Sequence, residues 1–185
     1  MDADRLARLE RIADKQDIIE CLTRFCRAMD RFDRELYLSA FHPDAEMAAG
    51  PFVGSAVESY DWAMPMHEEW QSATHHDLLN VTVDIDGDVA HSEAYYMYVA
   101  RNRDGSLILA GGRYIDRLER RNGEWKIALR TNAIEWACTP PAMPLPFSDV
   151  ADVYGNGEPA RDKSDPSYRR PLTNLRQPHH PLKDG

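Results

Sequence analysis

The chain has 185 residues, enough for one domain with a hydrophobic core and too few for two ordinary domains. Hydrophobic residues make up 43% and charged residues 29% of it, which argues against disorder throughout. Acidic residues outnumber basic ones by 31 to 22, giving a net charge of −9, and no basic cluster alternates with aromatic residues. Nucleic acid is therefore a poor candidate partner.

The N-terminus is charged from its second residue, and no run of about 18 apolar residues occurs in the sequence. We therefore expect a cytoplasmic protein with no membrane partner. The three cysteines, Cys21, Cys26 and Cys138, lack the paired spacing of a zinc site, so we expect reduced thiols in the core and no metal. His42 and the pair His179-His180 also lack further ligands at a useful spacing, and we expect them on the surface.

Apolar residues at helical spacing mark the N-terminal part of the chain. They begin after Asp17 and predict one helix with a wide buried face. Asp30 falls where this helix ends, on the margin of the buried face, although the helix dipole opposes a carboxylate there. A short helix over 35–41, a strand over 46–53 and a helix over 56–72, interrupted by its internal proline, should follow. The residues that define the first helix are Ile18, Leu22, Phe25 and Met29, flanked by Ile19 and Cys26.

Two β-hairpins dominate the next part of the chain. The predicted strands are 80–85, 89–101, 107–120 and 125–134. The first pair is joined by a turn at 86–88 and the second by Asn122-Gly123, and both turns contain residues that tolerate a positive φ. Gly111-Gly112 lies inside a strand, so we expect a sheet bend or bulge there rather than a phosphate-binding loop.

Helices followed by antiparallel strands predict an α+β domain whose strongly curved sheet wraps around the helices and encloses a pocket. We place this domain at 1–138 and a proline-rich C-terminal arm at 139–185. The arm keeps several apolar residues, so we expect it to pack on its own barrel or on a neighbouring subunit of a homo-oligomer, a dimer or a trimer. These residues are Met143, Leu145, Phe147, Val150, Val153, Tyr154, Tyr168 and Leu172.

Asp30 and His76 are the candidate catalytic pair. His76 lies just ahead of the strand over 80–85, where a small barrel would bring it close to Asp30. A carboxylate that accepts the ring N–H fixes the tautomer, leaves the other ring nitrogen as a base and stabilises the imidazolium as it forms. Taken singly, each residue also has a plain structural explanation, with His76 capping a strand and Asp30 facing water.

Alternation along the strands indicates which side chains share a face and could line the pocket. One parity gives a polar and aromatic lining of Tyr96, Tyr98, Gly112, Tyr114, Asp116, Arg130 and Asn132. The opposite parity gives Tyr95, Arg113 and Leu129. Alternation alone leaves both possibilities open.

Three short segments stand out by their order and spacing. They are Arg27-Ala28-Met29-Asp30 followed by Asp33, Thr74-His75-His76 followed by Asn80, and Gly111-Gly112-Arg113-Tyr114 leading into the segment 119–127. Together they resemble the SnoaL-like branch of the NTF2-like superfamily. The resemblance covers residues 10–137 and leaves the arm outside it.

This resemblance implies a cone-shaped α+β barrel of the NTF2-like type and catalysis without a cofactor. The branch includes scytalone dehydratase, hexachlorocyclohexane dehydrochlorinase, a bile-acid dehydratase, polyketide cyclases and lyases that deformylate diarylpropanes. Carried over by position, Asp30 matches the aspartate at the helix end and His76 the catalytic histidine. Arg130 matches a pocket arginine of the dehydrochlorinase.

The match to the dehydratases is incomplete at two positions. Phe25 stands where these enzymes can carry a tyrosine, and Tyr98 stands where they carry a second histidine. Tyr98 and Tyr114 fall near strand positions that hold polar pocket residues in the dehydratases.

We therefore predict a cofactor-independent lyase that dehydrates or deformylates a hydroxylated aromatic or polycyclic small molecule, with His76 as base and Asp30 as its partner. The predicted substrate contacts are Tyr98, Tyr114, Arg130, Asn80, Tyr96 and Trp62. Two alternatives stay open: an isomerase or cyclase acting on a steroid or polyketide, and a noncatalytic binding or structural subunit.

Overall fold

The computed structural model describes residues 2–144, 146 and 150–178. Its helices are α1 (Ala3–Arg31), α2 (Arg34–Ser39) and α3 (Ala56–Trp70), followed far along the chain by a short 3-10 helix over Pro166–Tyr168. Its strands are β1 (Phe41–Ala49), β2 (Phe52–Ser55), β3 (Gln71–Asp86), β4 (Val89–Asn102), β5 (Leu107–Arg121) and β6 (Glu124–Cys138).

The six strands form one sheet in the order β2-β1-β6-β5-β4-β3. Four of the five neighbouring pairs in this order are antiparallel, whereas β1 and β6 run parallel. The α+β prediction is therefore confirmed, with a mixed rather than a purely antiparallel sheet. The core lies between the helices and one face of this sheet.

Helix α1 is longer than the apolar pattern predicted. The side chain of Asp2 caps it by accepting a hydrogen bond from the Arg5 N–H at 2.8 Å. Most residues before Asp17 are exposed, so they carry no buried stripe that periodicity could detect. The helix ends at Phe32, which has a φ of 51° and returns its N–H to the Ala28 carbonyl. This ending leaves Asp30 in the last turn of the helix, as expected.

The segment 46–53 was predicted as one strand but is divided between β1 and β2 by a turn. Gly50 has a φ of 59° there, a conformation that ends the strand. The preceding helix α2 is also shorter than predicted, and residue 41 already belongs to β1.

Helix α3 continues through Pro65 without the predicted interruption. It starts with a capping box in which Ser55 and Glu58 satisfy each other's backbone N–H groups. One face of the helix packs into the core, and this packing offsets the hydrogen bond that proline removes. The buried residues of α3 are Ala56, Ser59, Tyr60, Ala63, Met64 and His67.

Both hairpin turns are confirmed. Asp86 pairs with Val89 across the first turn. Asn122 and Gly123 have φ values of 55° and 81°, the pair of positive angles that a type I′ turn requires. Strand β3 begins nine residues before the predicted strand, so His76 lies inside a strand rather than ahead of one.

The Gly111-Gly112 pair lies at a β-bulge, as predicted. Gly111 pairs with Trp136 and Gly112 with Ile134, which leaves Glu135 as the extra residue on β6. A Cβ atom on Gly112 would lie 2.0 Å from the Ala133 carbonyl oxygen, so the two strands approach too closely here for any other residue.

The chain divides into two compact units, Met1–Pro141 and Ala142–Gly185. Within the second unit, Arg176 donates to both oxygens of Asp152, and Met143 and Leu172 are exposed. Leu145, Phe147 and His179-His180 lie outside the described residues. The subunit contact of the arm stays a prediction.

The predicted positions of two side chains, His42 at the surface and Cys138 in the core, are wrong. His42 is buried, and its Nε2 lies 2.9 Å from the Glu119 carbonyl oxygen, because β1 turns this side chain towards the neighbouring hairpin. Cys21 and Cys26 are buried free thiols, but Cys138 is exposed at the end of β6. No helix in the described part of the chain is long and apolar enough to cross a membrane.

Candidate active site

The Asp30 carboxylate at the end of α1 contacts strand β3 through three hydrogen bonds. Its Oδ1 accepts from His76 Nδ1 at 2.7 Å and from the Thr74 hydroxyl at 2.9 Å. Its Oδ2 accepts from the His76 backbone N–H at 3.0 Å. The carboxylate therefore holds both the main chain and the ring of His76, which fixes the ring in place.

The environment of Asp30 favours its charged form. Burial alone would raise the pKa of the carboxyl, but the hydrogen bonds and charge of His76 outweigh it and hold this pKa below its ordinary value of 3.8. A charged carboxylate can only accept, so His76 Nδ1 carries a proton. The other ring nitrogen, Nε2, is then the one with a lone pair in the neutral ring. Only 7% of the His76 side chain and 15% of the Asp30 side chain are exposed.

His76 lies in the wall of a cavity of about 270 Å³ on the concave side of the sheet. The lining residues are Ala49, Gly50, Met66, His67, His76, Tyr96, Tyr98, Ala110, Tyr114, Asn132 and Ile134. The first of the two strand parities is therefore the one that faces the cavity. Tyr95 and Arg113 lie on the opposite face, where Arg113 pairs with Glu93 and Glu135.

Tyr96, Tyr98 and Tyr114 give the cavity an aromatic wall. The rings of Tyr96 and Tyr114 stack with centroids 4.5 Å apart, and the Tyr98 ring lies 4.9 Å from that of His76. Burial raises the pKa of the Tyr114 and Tyr96 hydroxyls, so both keep their proton at neutral pH. These two tyrosines are therefore available as neutral hydrogen-bond donors.

Asn132 also lines the cavity, and its side-chain oxygen already accepts a hydrogen bond from the main chain. It accepts the Gly50 N–H at 2.8 Å, which ties the β1–β2 turn to β6. The amide group of Asn132 is left with its two donors, so this residue adds donors rather than an acceptor to the cavity.

His67 was missed by the sequence analysis. It lies on α3, is 8% exposed, and meets the His76 ring edge to face with centroids 5.9 Å apart. Its Nδ1 is 2.5 Å from Gln71 Oε1 and 3.4 Å from the Tyr98 hydroxyl. The signal that could have found it is the helical spacing of Tyr60, Met64 and His67, which places this histidine on the buried face.

Arg130 is not a cavity residue, contrary to prediction. It is completely buried and forms a bidentate ion pair with Asp116, in which Nε and Nη2 each donate to one carboxylate oxygen at 2.7 Å. Its guanidinium carbon lies 4.0 Å from the Phe25 ring centroid and 4.4 Å from that of Tyr114. Tyr114 and Phe25 thus enclose Arg130 inside the core.

Asn80 and Trp62 also lie away from the cavity lining. Asn80 is exposed at an irregularity of β3, with a φ of 47° that turns it out of the strand. Trp62 is 44% exposed and stacks on Phe52, because its position on α3 faces away from the core. Of the six predicted substrate contacts, the structure places Tyr96, Tyr98 and Tyr114 in the cavity wall.

The described residues contain no group of three or more histidine, cysteine or acidic side chains that could hold a metal ion. What the site does contain is a fixed imidazole, a charged carboxylate behind it, a second imidazole and neutral phenols. This set can take a proton from a bound molecule and return one to it.

The fold and the site define an NTF2-like α+β barrel in which a histidine–aspartate pair faces the cavity. The model of the SnoaL-like domain matches residues 10–131. The chain therefore belongs to the SnoaL-like family, as its sequence motifs predicted. A comparison with curated protein sequences found no match.

Solved structures share this fold at low sequence identity. A type 2 hexachlorocyclohexane dehydrochlorinase is 19% identical with a TM-score of 0.69, covering 75% of this chain and 98% of its own. The type 3 enzyme from Novosphingobium barchaimii LL02 is 16% identical with a TM-score of 0.66, covering 75% and 97%. A candidate scytalone dehydratase from Novosphingobium aromaticivorans DSM 12444 is 17% identical with a TM-score of 0.63, covering 74% and 95%.

The lowered pKa of Asp30 has a measurable effect on stability. Because the folded-state pKa lies below the ordinary value, the charged carboxylate stabilises the fold above about pH 4 and this stabilisation is lost as the pH falls through the folded-state pKa. Asp30→Asn should therefore lower the free energy of unfolding at pH 7 by about 1.5–3 kcal/mol, the value of hydrogen bonds to a charged group.

Urea unfolding at pH values between 3 and 7 would measure this effect. The gap between the native protein and Asp30→Asn should be widest near pH 7 and narrow towards pH 3. Asp77→Asn removes an exposed carboxylate from β3, next to His76, and controls for net charge. A gap that is equal at both ends of the pH range would contradict the assigned charge state of Asp30.

Proposed function

We propose that the protein is a lyase that removes water or formaldehyde from a hydroxylated aromatic or polycyclic small molecule by general-base catalysis, without a cofactor. The observation that carries this proposal is the 2.7 Å hydrogen bond between Asp30 and a His76 ring that lies in the cavity wall. A residue that only capped a strand would need neither the buried carboxylate nor the cavity.

The proposed base is the Nε2 atom of His76. Asp30 keeps Nδ1 protonated and orients the ring, so Nε2 offers its lone pair to the substrate. When Nε2 takes a proton, the charged carboxylate at 2.7 Å stabilises the resulting imidazolium. The Thr74 hydroxyl and the His76 N–H keep the carboxylate in position during this change.

The cavity supports an aromatic substrate of modest size. Ligand pockets span roughly 300–1,000 Å³, so a cavity of about 270 Å³ lies at the small end of this range and would enclose one aromatic part of the substrate with its substituents. The stacked rings of Tyr96 and Tyr114 offer a flat surface for such a ring. Neutral tyrosine hydroxyls and the Asn132 amide can donate to an oxygen on which negative charge develops.

The fold comparisons support the same class of reaction. Two of the similar structures are hexachlorocyclohexane dehydrochlorinases and one is a candidate scytalone dehydratase. Loss of water and loss of formaldehyde both begin with proton removal by a base. His76 could serve either reaction.

A substrate screen would test the proposal. Purified protein is mixed with β-hydroxy ketones, hydroxylated bicyclic ketones and 1,2-diaryl-1,3-propanediols in EDTA-containing buffer without added cofactor. New ultraviolet absorption from the conjugated product is recorded and the product mass is measured. We expect a loss of 18 mass units for dehydration or of about 48 when formaldehyde and water both leave, since these are the masses of the departing molecules.

The same screen separates the alternatives. A product of unchanged mass would replace the lyase proposal with an isomerase or a cyclase. Compounds that bind in the cavity without any turnover would favour a noncatalytic binding protein. His75→Gln, which alters the exposed neighbour of His76, is the matched control for intact protein.

A further inference from the structure

We propose that His67 on α3 is the general acid of this site and protonates the departing oxygen while His76 removes a proton. This inference rests on the proposed lyase function and deepens it, because it limits the leaving group to an oxygen. It also gives a catalytic task to the histidine that strand alternation could not reveal.

The position of His67 fits this task. It and His76 come from different elements, yet both line the same cavity with ring centroids 5.9 Å apart. The Tyr98 ring lies beside both imidazoles, with its centroid 6.0 Å from that of His67 and 4.9 Å from that of His76. A substrate bound among these three rings would have one imidazole near the proton it loses and the other near the group it releases.

The partner of His67 differs in kind from the partner of His76. The Oε1 atom of Gln71 accepts from Nδ1 at 2.5 Å and is neutral, whereas the partner of His76 is a charged carboxylate. An amide oxygen fixes the tautomer without stabilising an imidazolium as strongly as a carboxylate does. His67 is therefore suited to give up the proton on Nε2 and to remain neutral with a proton on Nδ1.

The proton and electron balance of the dehydration is complete with these two residues. His76 Nε2 takes the proton from carbon, the C–H electron pair forms the C=C bond, and the C–O bond breaks. The departing oxygen takes its proton from Nε2 of His67 in its imidazolium form and leaves as water, and His67 is then neutral with its proton on Nδ1. Each histidine then returns to its starting state by exchanging one proton with solvent.

The deformylation balances in the same way. His76 takes the proton of a terminal hydroxyl, and the C–C bond breaks to release formaldehyde. The electron pair of that bond forms the new C=C bond and expels the oxygen on the next carbon. His67 protonates this oxygen, so both reactions need the same acid.

The proposal predicts a bell-shaped pH dependence, because the base must be unprotonated and the acid must be protonated when the substrate reacts. The titratable groups that share a pocket with one or both rings include Asp77 on β3, Cys26 from α1, Tyr96 and Tyr98 from β4, and Tyr114 from β5, and Asp30 from α1 is bonded to His76. Four of these groups have a shifted pKa: Asp30, Cys26, Tyr96 and Tyr114. Of the four, only Asp30 is charged at neutral pH, and it is bonded to His76. The two limbs belong to the coupled pair of histidines rather than to either ring alone.

The first test needs no substrate. Nitrogen-15 NMR of the imidazole rings, assigned with His67→Gln and His76→Gln, reports which nitrogen carries the proton in each neutral ring. We expect His67 to be protonated on Nδ1, and Gln71→Leu to shift it towards the other tautomer. A neutral His67 protonated on Nε2 in the native protein would overturn the proposal, whether or not the screen finds a substrate.

The second test uses the substrate found by the screen and its analogue with chloride in place of the departing hydroxyl. His67→Gln should lower kcat for the hydroxyl substrate by roughly 10²–10⁴-fold and remove the high-pH limb. Chloride leaves without a proton, so the loss for the analogue should stay below about tenfold. Equal losses for both leaving groups would show a structural or binding role instead.

His91→Gln is the matched control, because His91 is an exposed histidine on β4 outside the cavity lining. It should leave both rates and the tautomer of His67 unchanged. If the screen finds no turnover but NMR shows the Nδ1 tautomer, the proposed lyase function has failed while the protonation state assigned to His67 stands.

Discussion

His76→Ala should lower kcat on the substrate found by the screen by roughly 10²–10⁴-fold, the usual contribution of a general base. The reason is structural. Among the described residues that line the cavity, only His76 has one ring nitrogen, Nδ1, bonded to a charged carboxylate at 2.7 Å, which leaves its other ring nitrogen, Nε2, as the base. KM should change much less than kcat, because the proton transfer is made in the transition state and not on binding.

Two further variants make the result specific to the base. His76→Gln keeps a side chain that can contact Asp30 but has no nitrogen base, so it should lose as much activity as the alanine variant. Adding free imidazole should restore part of the activity to His76→Ala, where a space is left for it. His75→Gln should retain native kcat, since this neighbour is exposed. Full turnover by His76→Ala would exclude His76 as the base.

Arg130→Met should lower the free energy of unfolding at pH 7 by about 3–5 kcal/mol, the cost of breaking a buried ion pair by removing one partner. Both Arg130 and Asp116 have side chains that are 0% exposed, so the Asp116 carboxyl would be left buried without its partner. Burial alone would lower the pKa of Arg130, but the charge and hydrogen bonds of Asp116 raise it, so the guanidinium stays charged in the core. The variant would also lose the contacts of the guanidinium with Phe25 and Tyr114.

Urea unfolding of single and double variants would measure this. Arg130→Met combined with Asp116→Leu removes both charges and should recover most of the loss, because neither partner is left unpaired. Arg113→Met is the matched control, since Arg113 pairs with Glu93 and Glu135 on the other face of the sheet and is 31% exposed. It should cost at most about 1 kcal/mol. Similar losses for Arg113→Met and Arg130→Met would contradict the structural role assigned to the buried pair.

These two predictions separate the two polar clusters of the barrel. Asp30 and His76 lie at the cavity, where the ring nitrogen can reach a bound molecule. Asp116 and Arg130 lie in the core, where both residues are buried and packed against other protein side chains. Substitution of His76 should change turnover first, substitution of Asp30 should change both turnover and stability, and substitution in the second cluster should change stability first.

The Asp30–His76 contact could be predicted from the sequence because both residues follow local rules. The apolar spacing of α1 determines where the buried face ends, and Asp30 falls on its margin in the last turn. His76 could be found because it lies close to a strongly strand-like run. The hairpin turn at Asn122-Gly123 was equally local, since it depends on two residues that accept a positive φ.

Arg130 shows what local rules could not decide. Counting from the turn, where Arg121 pairs with Glu124 and Leu118 with Ile127, would place Asp116 opposite Leu129. The register shift between Arg117 and Leu118 places it opposite Arg130 instead, and the two charges meet in the core. Alternation correctly put Arg130 on the concave face, but its depth in the barrel depends on packing.

The sequence by itself determined the α+β class, the two hairpins, the end of α1 and the residues of the His76–Asp30 pair, because periodicity, turn residues and helix ends act over a few neighbouring positions. Tertiary structure alone decided that His67 faces His76, that Arg130 is buried beneath Tyr114, and that Trp62 and Asn80 lie away from the cavity lining. The physical reason is that these contacts join side chains far apart in the chain, and only the curvature and register of the sheet set the distances between them.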